Sequence, residues 1–258
     1  KNKSKNKKKG LLSFDLNPNQ KIVLISIKKN QKPNETEKIG AQLTDFLKSE
    51  GAGIIHIISD TISVSLKTDA IYEFLHGMRL KSYSFDRYKS KKELNTLKVN
   101  ITSSKKFDKK IYNKFKAIEL GVNYTKDLVS EPGNILHPDE YAKRLIQLKK
   151  IGLKVSLYNE KNLKKMGCNA LVGVGQGSIR GSYLVTLEWR GKKSNSKPLA
   201  FVGKGVCFDT GGIYLKPARF MEDMTYDMAG SAVVVGLMKN LALRKSKVNA
   251  VGVVGLVE

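Results

Sequence analysis

The sequence predicts an α/β protein of two domains joined by a long helix, and three observations support this fold class. The chain has 258 residues, which is enough for two domains of roughly 100–200 residues each. Short apolar runs of strand length alternate with segments of helical period in both halves. Between the halves, a helical pattern over 109–130 ends at the sequence EPGN at 131–134, a strong stop and turn signal. We therefore expect a small N-terminal α/β domain over 1–115 and a second α/β domain over 116–258 that begins with the joining helix.

The first domain is predicted to open with a charged, mobile tail. Residues 1–10 read KNKSKNKKKG and contain no apolar side chain. Apolar residues at helical spacing predict two helices, and Asp69 is the expected N-cap of the second. These helices are predicted at 35–47 and 69–80. Strands are predicted at 21–28, 53–59, 62–66 and 97–102.

The second domain continues the alternation of helices and strands. Helices are predicted from 137 to about 150, near 163 and over 228–243. Strands are predicted at 153–157, 183–189, 198–202 and 250–257, with a glycine-rich turn at 173–178. This pattern predicts a mixed sheet that is incomplete at its C-terminal end. Because the chain stops directly after an apolar strand-like run, we expect it to be a fragment.

Composition argues against several classes of protein. The hydrophobic fraction of 41% is too high for general disorder, and no run approaches the ~20 apolar residues of a membrane helix. Cys168 and Cys207 are the only cysteines and lie far apart, which argues against a disulfide framework and against a thiolate zinc site. The polar, lysine-rich start is not a secretory signal. We expect a soluble, cytoplasmic protein.

The net charge of +24 raises the question of nucleic-acid binding. Lysine outnumbers arginine 40 to 7, whereas arginine is the preferred residue for bidentate contacts with phosphate and guanine. The lysines are better explained as a solvated surface, so nucleic acid is not an expected partner. A basic nucleic-acid-binding protein stays open as an alternative function.

The segment over 201–231 carries the candidate chemistry. It reads FVGKGVCFDTGGIYLKPARFMEDMTYDMAGS and places Lys204, Asp209, Lys216 and Asp227 in a glycine-rich stretch. The two aspartates offer hard oxygen donors suited to Mn²⁺, Mg²⁺ or Zn²⁺, and the glycines permit tight turns and close backbone approach. By spacing alone this is a weak signal, because aspartate and lysine are more often ordinary surface charges than metal-site residues.

Two nucleotide-binding interpretations of the glycines fail. A P-loop needs a glycine five residues before its Gly-Lys pair and a serine or threonine directly after it, but Pro198 and Gly205 occupy those positions. A dinucleotide-binding fingerprint needs a third glycine where this chain has Ser178.

The same segment resembles the signature of the cytosol (leucyl) aminopeptidase family of metallopeptidases. The family pattern is Val-Gly-Lys-Gly-x-x-Phe-Asp-Thr/Ser-Gly-Gly-x-x-x-Lys followed by Met-x-x-Met-x-x-Asp-Met-x-Gly, and this sequence matches nearly every position. Three flanking segments are also similar to the family: YSFDRYK at 83–89, NYTKDLVSEPGNILHP at 123–138 and MGCNALVGVGQGS at 166–178. The resemblance covers the chain from about residue 75 onward.

The resemblance implies a site with two divalent metal ions, Mn²⁺ or Zn²⁺ with Mg²⁺ as a third choice. By position, Asp209 would bridge both metals, and Lys204 and Asp227 would each ligate one of them. A lysine ligates a metal only as the neutral amine. Lys216 would be the catalytic lysine that faces the oxyanion of the tetrahedral intermediate, and Met224 would line the pocket for the first side chain of the substrate. The implied reaction is hydrolysis of N-terminal, leucine-like residues from peptides with a free N-terminus.

The resemblance also implies that part of the site is absent from this sequence. In the family, the remaining carboxylate ligands and the catalytic arginine lie in a later Asn-Thr-Asp-Ala-Glu-Gly-Arg segment, and Glu258 matches a non-ligand glutamate before it. We therefore expect this chain alone to be inactive. The family assembles as hexamers, and a non-catalytic homologue with the same fold is a further alternative.

Overall fold

The computed structural model describes residues 7–8, 10–28, 30–60, 69–91, 97–104, 106–192 and 196–258. The chain divides into two compact units, Lys1–Lys116 and Ala117–Glu258, and the division falls within one long helix, Lys109–Ser130. Both units combine helices with β-sheet, which confirms the predicted α/β class. The strand expected at 62–66 lies outside the described residues.

The first unit contains a small antiparallel sheet, a parallel strand pair and two packed helices. The strands are β1 (Lys7–Lys8), β2 (Leu11–Asn17), β3 (Gln20–Ile25), β4 (Ile54–Ile58) and β5 (Lys98–Thr102). The helices are α1 (Pro33–Ser49), α2 (Ala70–Ser82) and the first part of α3 (Lys109–Ser130). Strands β1, β2 and β3 pair antiparallel in that order, while β4 and β5 pair in parallel. Leu43, Phe46, Phe74 and Met78 lie in the core between α1 and α2.

Two details of the first unit differ from the predictions. Lys7–Lys8, within the tail expected at 1–10, form β1 against β2; backbone pairing of this kind does not depend on apolar side chains, and the mobility of the tail stays a prediction. Asp69 does precede α2 as its N-cap, but its backbone is already helical and its side chain makes no capping hydrogen bond. The predicted capping interaction is therefore absent at this position.

The second unit is built on a four-stranded mixed sheet. Its strands are β6 (Lys154–Tyr158), β7 (Tyr183–Arg190), β8 (Leu199–Val206) and β9 (Asn249–Val257). Its helices, after the end of α3, are α4 (Pro138–Ile146), α5 (Glu160–Lys165), α6 (Asn169–Gly175), α7 (Ala218–Met221) and α8 (Ala229–Leu243). Short 3₁₀ segments occupy Gln147–Ile151 and Glu222–Tyr226. The strand order is β6-β7-β9-β8, and β8 and β9 are parallel while the other pairs are antiparallel.

The glycine-rich turn predicted at 173–178 is wrong in its first half. Gly173 and Gly175 belong to the last turn of α6. Gly175 packs closely against Ser182, since a Cβ at that position would lie 2.1 Å from Ser182 Oγ. The strand predicted at 198–202 continues to Val206, since β8 pairs with β9 along its whole length.

The core of the second unit lies between the sheet and α4 and α8. Fully buried residues of this core include Val185, Leu187, Val254 and Leu256 from the sheet and Val235 and Met238 from α8. Helix α8 connects β8 to the parallel strand β9. In such a β-α-β unit, residues that follow the first strand and precede the helix lie at the carboxyl end of the sheet, where α/β proteins commonly bind ligands. Among the described residues, no helix is long and apolar enough to cross a membrane.

Candidate metal centre

Strand β8 and the start of α8 approach each other closely around Lys204. A Cβ added at Gly203 would lie 2.6 Å from the Cα of Ser231, and one added at Gly205 would lie 2.5 Å from the carbonyl oxygen of Gly255. These contacts are too short for any side chain, so glycine is required on both sides of Lys204. The two glycines therefore serve close packing within a strand, and not a turn.

Lys204 and Asp227 form the first of two ion pairs. The Nζ atom of Lys204 lies 2.9 Å from Oδ1 of Asp227. The other carboxylate oxygen, Oδ2, is buried and has no hydrogen-bond partner. Buried carboxylate oxygens normally have a partner, so Asp227 holds a free acceptor within the site. Asp227 lies between the 3₁₀ segment and α8, where the N-terminus of the helix favours a negative charge.

Asp209 and Lys216 form the second ion pair. The Nζ atom of Lys216 lies 2.8 Å from Oδ2 of Asp209 and 3.1 Å from the sulfur of Met224. The amide of Gly211 donates to Oδ1 of Asp209 at 2.9 Å. The hydrogen bond from Lys216 is the largest influence on the pKa of Asp209, and it outweighs burial to hold this pKa below its ordinary value. The carboxylate is therefore kept ionised.

The structure brings all five residues predicted for the site into one region. The charge of Lys204 also contributes to the lowered pKa of Asp209, which places the two ion pairs within electrostatic reach of each other. Within the described ranges, no group of three or more His, Cys, Asp and Glu residues is arranged to hold a metal. The carboxylate ligands available here are Asp209 and Asp227.

The sequence did not predict two buried hydroxyl groups near the site, those of Tyr141 and Ser231. Tyr141 Oη lies 3.0 Å from Ser231 Oγ, and Ser231 Oγ donates to the carbonyl oxygen of Met228 at 2.7 Å. The small residues at the start of α8 are a sequence signal for close packing there. No sequence signal connects Tyr141, 90 positions earlier, with this helix.

Cys207 is next to the site but is not arranged as a nucleophile. Its side chain is buried, and burial together with the nearby charges of Glu258 and Asp139 raises the pKa of the thiol. Because the thiolate is the reactive form, this cysteine is a packed core residue.

The fold and the site together place this chain among α/β proteins that carry lysine and aspartate side chains at the carboxyl end of a parallel strand pair. Such side chains make the site a candidate for metal binding. Residues 123–258 match the catalytic domain of the cytosol aminopeptidase family. This match covers more than half of the sequence, and the chain belongs to the cytosol aminopeptidase family.

Individual relatives agree with this assignment. The chain is 48% identical over 224 residues to a probable cytosol aminopeptidase of Phytoplasma australiense, which covers 83% of this chain and 45% of the relative. It is 44% identical over 254 residues to the probable cytosol aminopeptidase of Brucella ovis, which covers 93% of this chain and 50% of the relative. The chain thus spans about half the length of these relatives.

Solved structures show the same fold. The cytosol aminopeptidase of Coxiella burnetii superposes with a TM-score of 0.74 at 24% identity, over 92% of this chain and 48% of that one. The bottromycin maturation enzyme BotP, solved in complex with Mn, superposes with a TM-score of 0.75 at 23% identity, over 89% of this chain and 48% of that one. At this level of identity, the likeness concerns the fold.

Proposed function

We propose that this chain is part of a two-metal aminopeptidase that removes N-terminal, leucine-like residues from peptides. The observation that carries the proposal is the pair of lysine–aspartate contacts, Lys204 with Asp227 and Lys216 with Asp209, in a member of the cytosol aminopeptidase family. In this proposal, residues 1–115 form the N-terminal domain and residues 116–258 form the first part of the catalytic domain.

The residues present fit part of a divalent metal site. Two carboxylates and one amine are donors that Mn²⁺ and Zn²⁺ accept, and the unpartnered Oδ2 of Asp227 offers a buried acceptor. The Mn-containing BotP structure, of similar fold, is consistent with this choice of metal. Two carboxylates balance the charge of one dication only. We therefore propose that further carboxylate ligands come from outside these 258 residues and that this chain alone is inactive.

Each residue has a separate role in the proposed reaction. When bound, a pair of divalent cations supplies Lewis-acid activation of a water and of the scissile carbonyl. Asp209 would bridge the two metal positions, and Lys204 and Asp227 would complete the ligands on this side of the site.

The ammonium group of Lys216 would stabilise the oxyanion that forms from the carbonyl oxygen, an interaction worth roughly 10²- to 10³-fold in kcat for a single donor. Its contact with the Met224 sulfur at 3.1 Å holds the ammonium in place beside the proposed pocket for the first side chain.

The first experiment is a titration of this chain with Mn²⁺, in which electron paramagnetic resonance measures the free and bound metal. We expect Mn²⁺ to bind, and we expect Asp227→Asn to weaken binding at least about 10-fold through the loss of a ligand. Asp223→Asn is the matched control, because Asp223 is exposed in the same 3₁₀ segment. Equal Mn²⁺ affinity of Asp227→Asn and the wild type would contradict the assignment of this ligand.

In the second experiment, the coding region beyond codon 258 is sequenced, and the protein encoded by the whole coding region is assayed. An Asp-x-Glu-x-Arg cluster after a further strand would supply the missing carboxylates and an arginine. We expect that protein to hydrolyse leucine p-nitroanilide and to leave the N-acetylated substrate intact. A continuation without those carboxylates would argue for a non-catalytic protein.

Assembly and location follow from the same family relationship. We propose a homo-hexamer in the cytoplasm with peptides as substrates, and sedimentation analysis of the longer protein tests the assembly. Nucleic-acid binding is not part of this proposal, because the proposal assigns the residues of the segment over 201–231 to metal binding and catalysis.

A further inference from the structure

We propose that Tyr141 and Ser231 are positioning residues, which form a buried hydroxyl pair that fixes Asp227 relative to Lys204. The inference rests on the proposed metal site, because it concerns the placement of one of its ligands. Neither hydroxyl is placed to touch substrate or metal. Both act through the backbone at the start of α8.

The hydroxyl pair is fully buried and its donors are determined. Tyr141 and Ser231 are each 0% exposed. Ser231 Oγ donates to the carbonyl oxygen of Met228 at 2.7 Å, so its own lone pair accepts from Tyr141 Oη at 3.0 Å. The Met228 carbonyl also accepts from the amide of Ala232 at 3.1 Å. Met228 directly follows Asp227, so the pair anchors the carbonyl of the residue next to the ligand.

The start of α8 depends on this anchor because it has no side-chain cap. Met228 occupies the N-cap position and makes no capping hydrogen bond, whereas helices usually begin at Ser, Thr, Asp or Asn. The hydroxyl of Ser231, three residues later, does not accept from a backbone N–H as a cap would; it donates to the Met228 carbonyl and so ties the first turn of α8 together. A free helix start would let Asp227 move, since the first turn of an uncapped helix frays.

Ser231 also contacts the strand that carries Lys204. A Cβ at Gly205 would lie 3.1 Å from Ser231 Oγ, and a Cβ at Gly203 would lie 2.6 Å from Ser231 Cα. The same residue is therefore packed against β8 on both sides of Lys204 and bonded to the residue beside Asp227. Tyr141 fixes Ser231 from α4. This arrangement can set the distance between the Lys204 amine and the Asp227 carboxylate.

The test uses Tyr141→Phe and Ser231→Ala, each of which removes one hydroxyl group. We expect each variant to weaken Mn²⁺ binding about 10-fold, the usual effect of losing a residue that orients a ligand. We expect the double variant to be no weaker than the worse single variant, because the two hydroxyls act in series. Hydrogen exchange of the peptide covering 222–232 should be faster in both single variants.

Thr125→Val is the matched control. Thr125 Oγ1 also donates to a carbonyl of α8, that of Ala232, at 3.0 Å, but it does not bond the residue next to Asp227. This variant should lose a similar hydrogen bond and keep wild-type Mn²⁺ affinity. A general effect of stability would weaken binding in all three variants alike, and that result would overturn the inference.

The remaining outcomes separate the inference from the proposed function. If the wild type binds Mn²⁺ and Tyr141→Phe and Ser231→Ala bind it equally well, the positioning role is wrong. If the wild type binds no Mn²⁺, the ligands of this chain do not hold a metal without the further carboxylates, and hydrogen exchange decides the positioning role alone. Faster exchange over 222–232 in both variants, but not in Thr125→Val, would then support it, and unchanged exchange would refute it.

Discussion

The substitution Gly203→Ala tests whether the close approach of β8 and α8 builds the site. The added Cβ would lie 2.6 Å from Ser231 Cα, 2.7 Å from Gly230 O and 2.8 Å from Ser231 N. All three are backbone atoms that cannot rotate away, so strand and helix must separate by about 0.8 Å to reach ordinary contact. Overpacking of this kind costs about 3 kcal/mol in the free energy of unfolding. At this chain length the loss corresponds to a fall in Tm of roughly 6–12 °C.

The same displacement should open the Lys204–Asp227 ion pair. Its N–O distance of 2.9 Å would grow to roughly 3.7 Å, beyond the range of a hydrogen bond. We expect Gly203→Ala to lose Mn²⁺ affinity as well as stability, measured by spin resonance and by thermal unfolding. Gly177→Ala is the control, since nothing lies within 4 Å of a Cβ there. A Tm of Gly203→Ala within about 2 °C of wild type would refute the reasoning, because such an overlap cannot be absorbed without cost.

Three further predictions concern the second unit. Asp139 raises the pKa of the Tyr183 phenol to about 12 through a hydrogen bond, so Asp139→Asn should return that pKa toward 10, as measured by NMR. The stability that this hydrogen bond contributes is present below pH 10 and is lost as the pH rises to about 12. Cys168 should react with Ellman's reagent in the native protein, whereas buried Cys207 should react only on unfolding; equal rates would contradict its burial. Gly173→Ala should raise the free energy of unfolding by about 0.5–1 kcal/mol, measured in denaturant, because the site is open and helical.

The sequence predicted those elements whose signal is local. The period of apolar residues placed the helix over 109–130 with the bounds that the structure gives it. Apolar runs likewise placed β6, β7 and β9 within one or two residues. The five candidate site residues came from a different signal, the resemblance of one continuous motif within 201–231 to a known family; their spacing alone did not distinguish them from surface charges.

Contacts between distant segments could not be predicted in this way. Strand β1 forms through backbone pairing with β2, and lysine side chains give no signal for it. Ile213, Tyr214 and Leu215, just before the short helical segments over 218–226, are exposed, so the apolar side chains of this region do not mark a face packed against the core. The hydroxyl pair is the clearest case, because it joins residues of two helices that only the folded sheet brings together.

The charge balance of the site explains how four ionised residues can lie together in the folded chain. Two ammonium groups and two carboxylates sum to zero, and each carboxylate has a lysine Nζ within 2.9 Å. Like charges at these distances would oppose folding, whereas alternating charges do not. Lys216 in particular keeps the pKa of Asp209 low, so Asp209 is ionised across the neutral range, the form in which a carboxylate binds a cation. Lys216 therefore keeps Asp209 charged, and each lysine holds its aspartate in place through an ion pair. In the proposed site, the unpartnered Oδ2 of Asp227 is the buried acceptor that remains for a divalent ion.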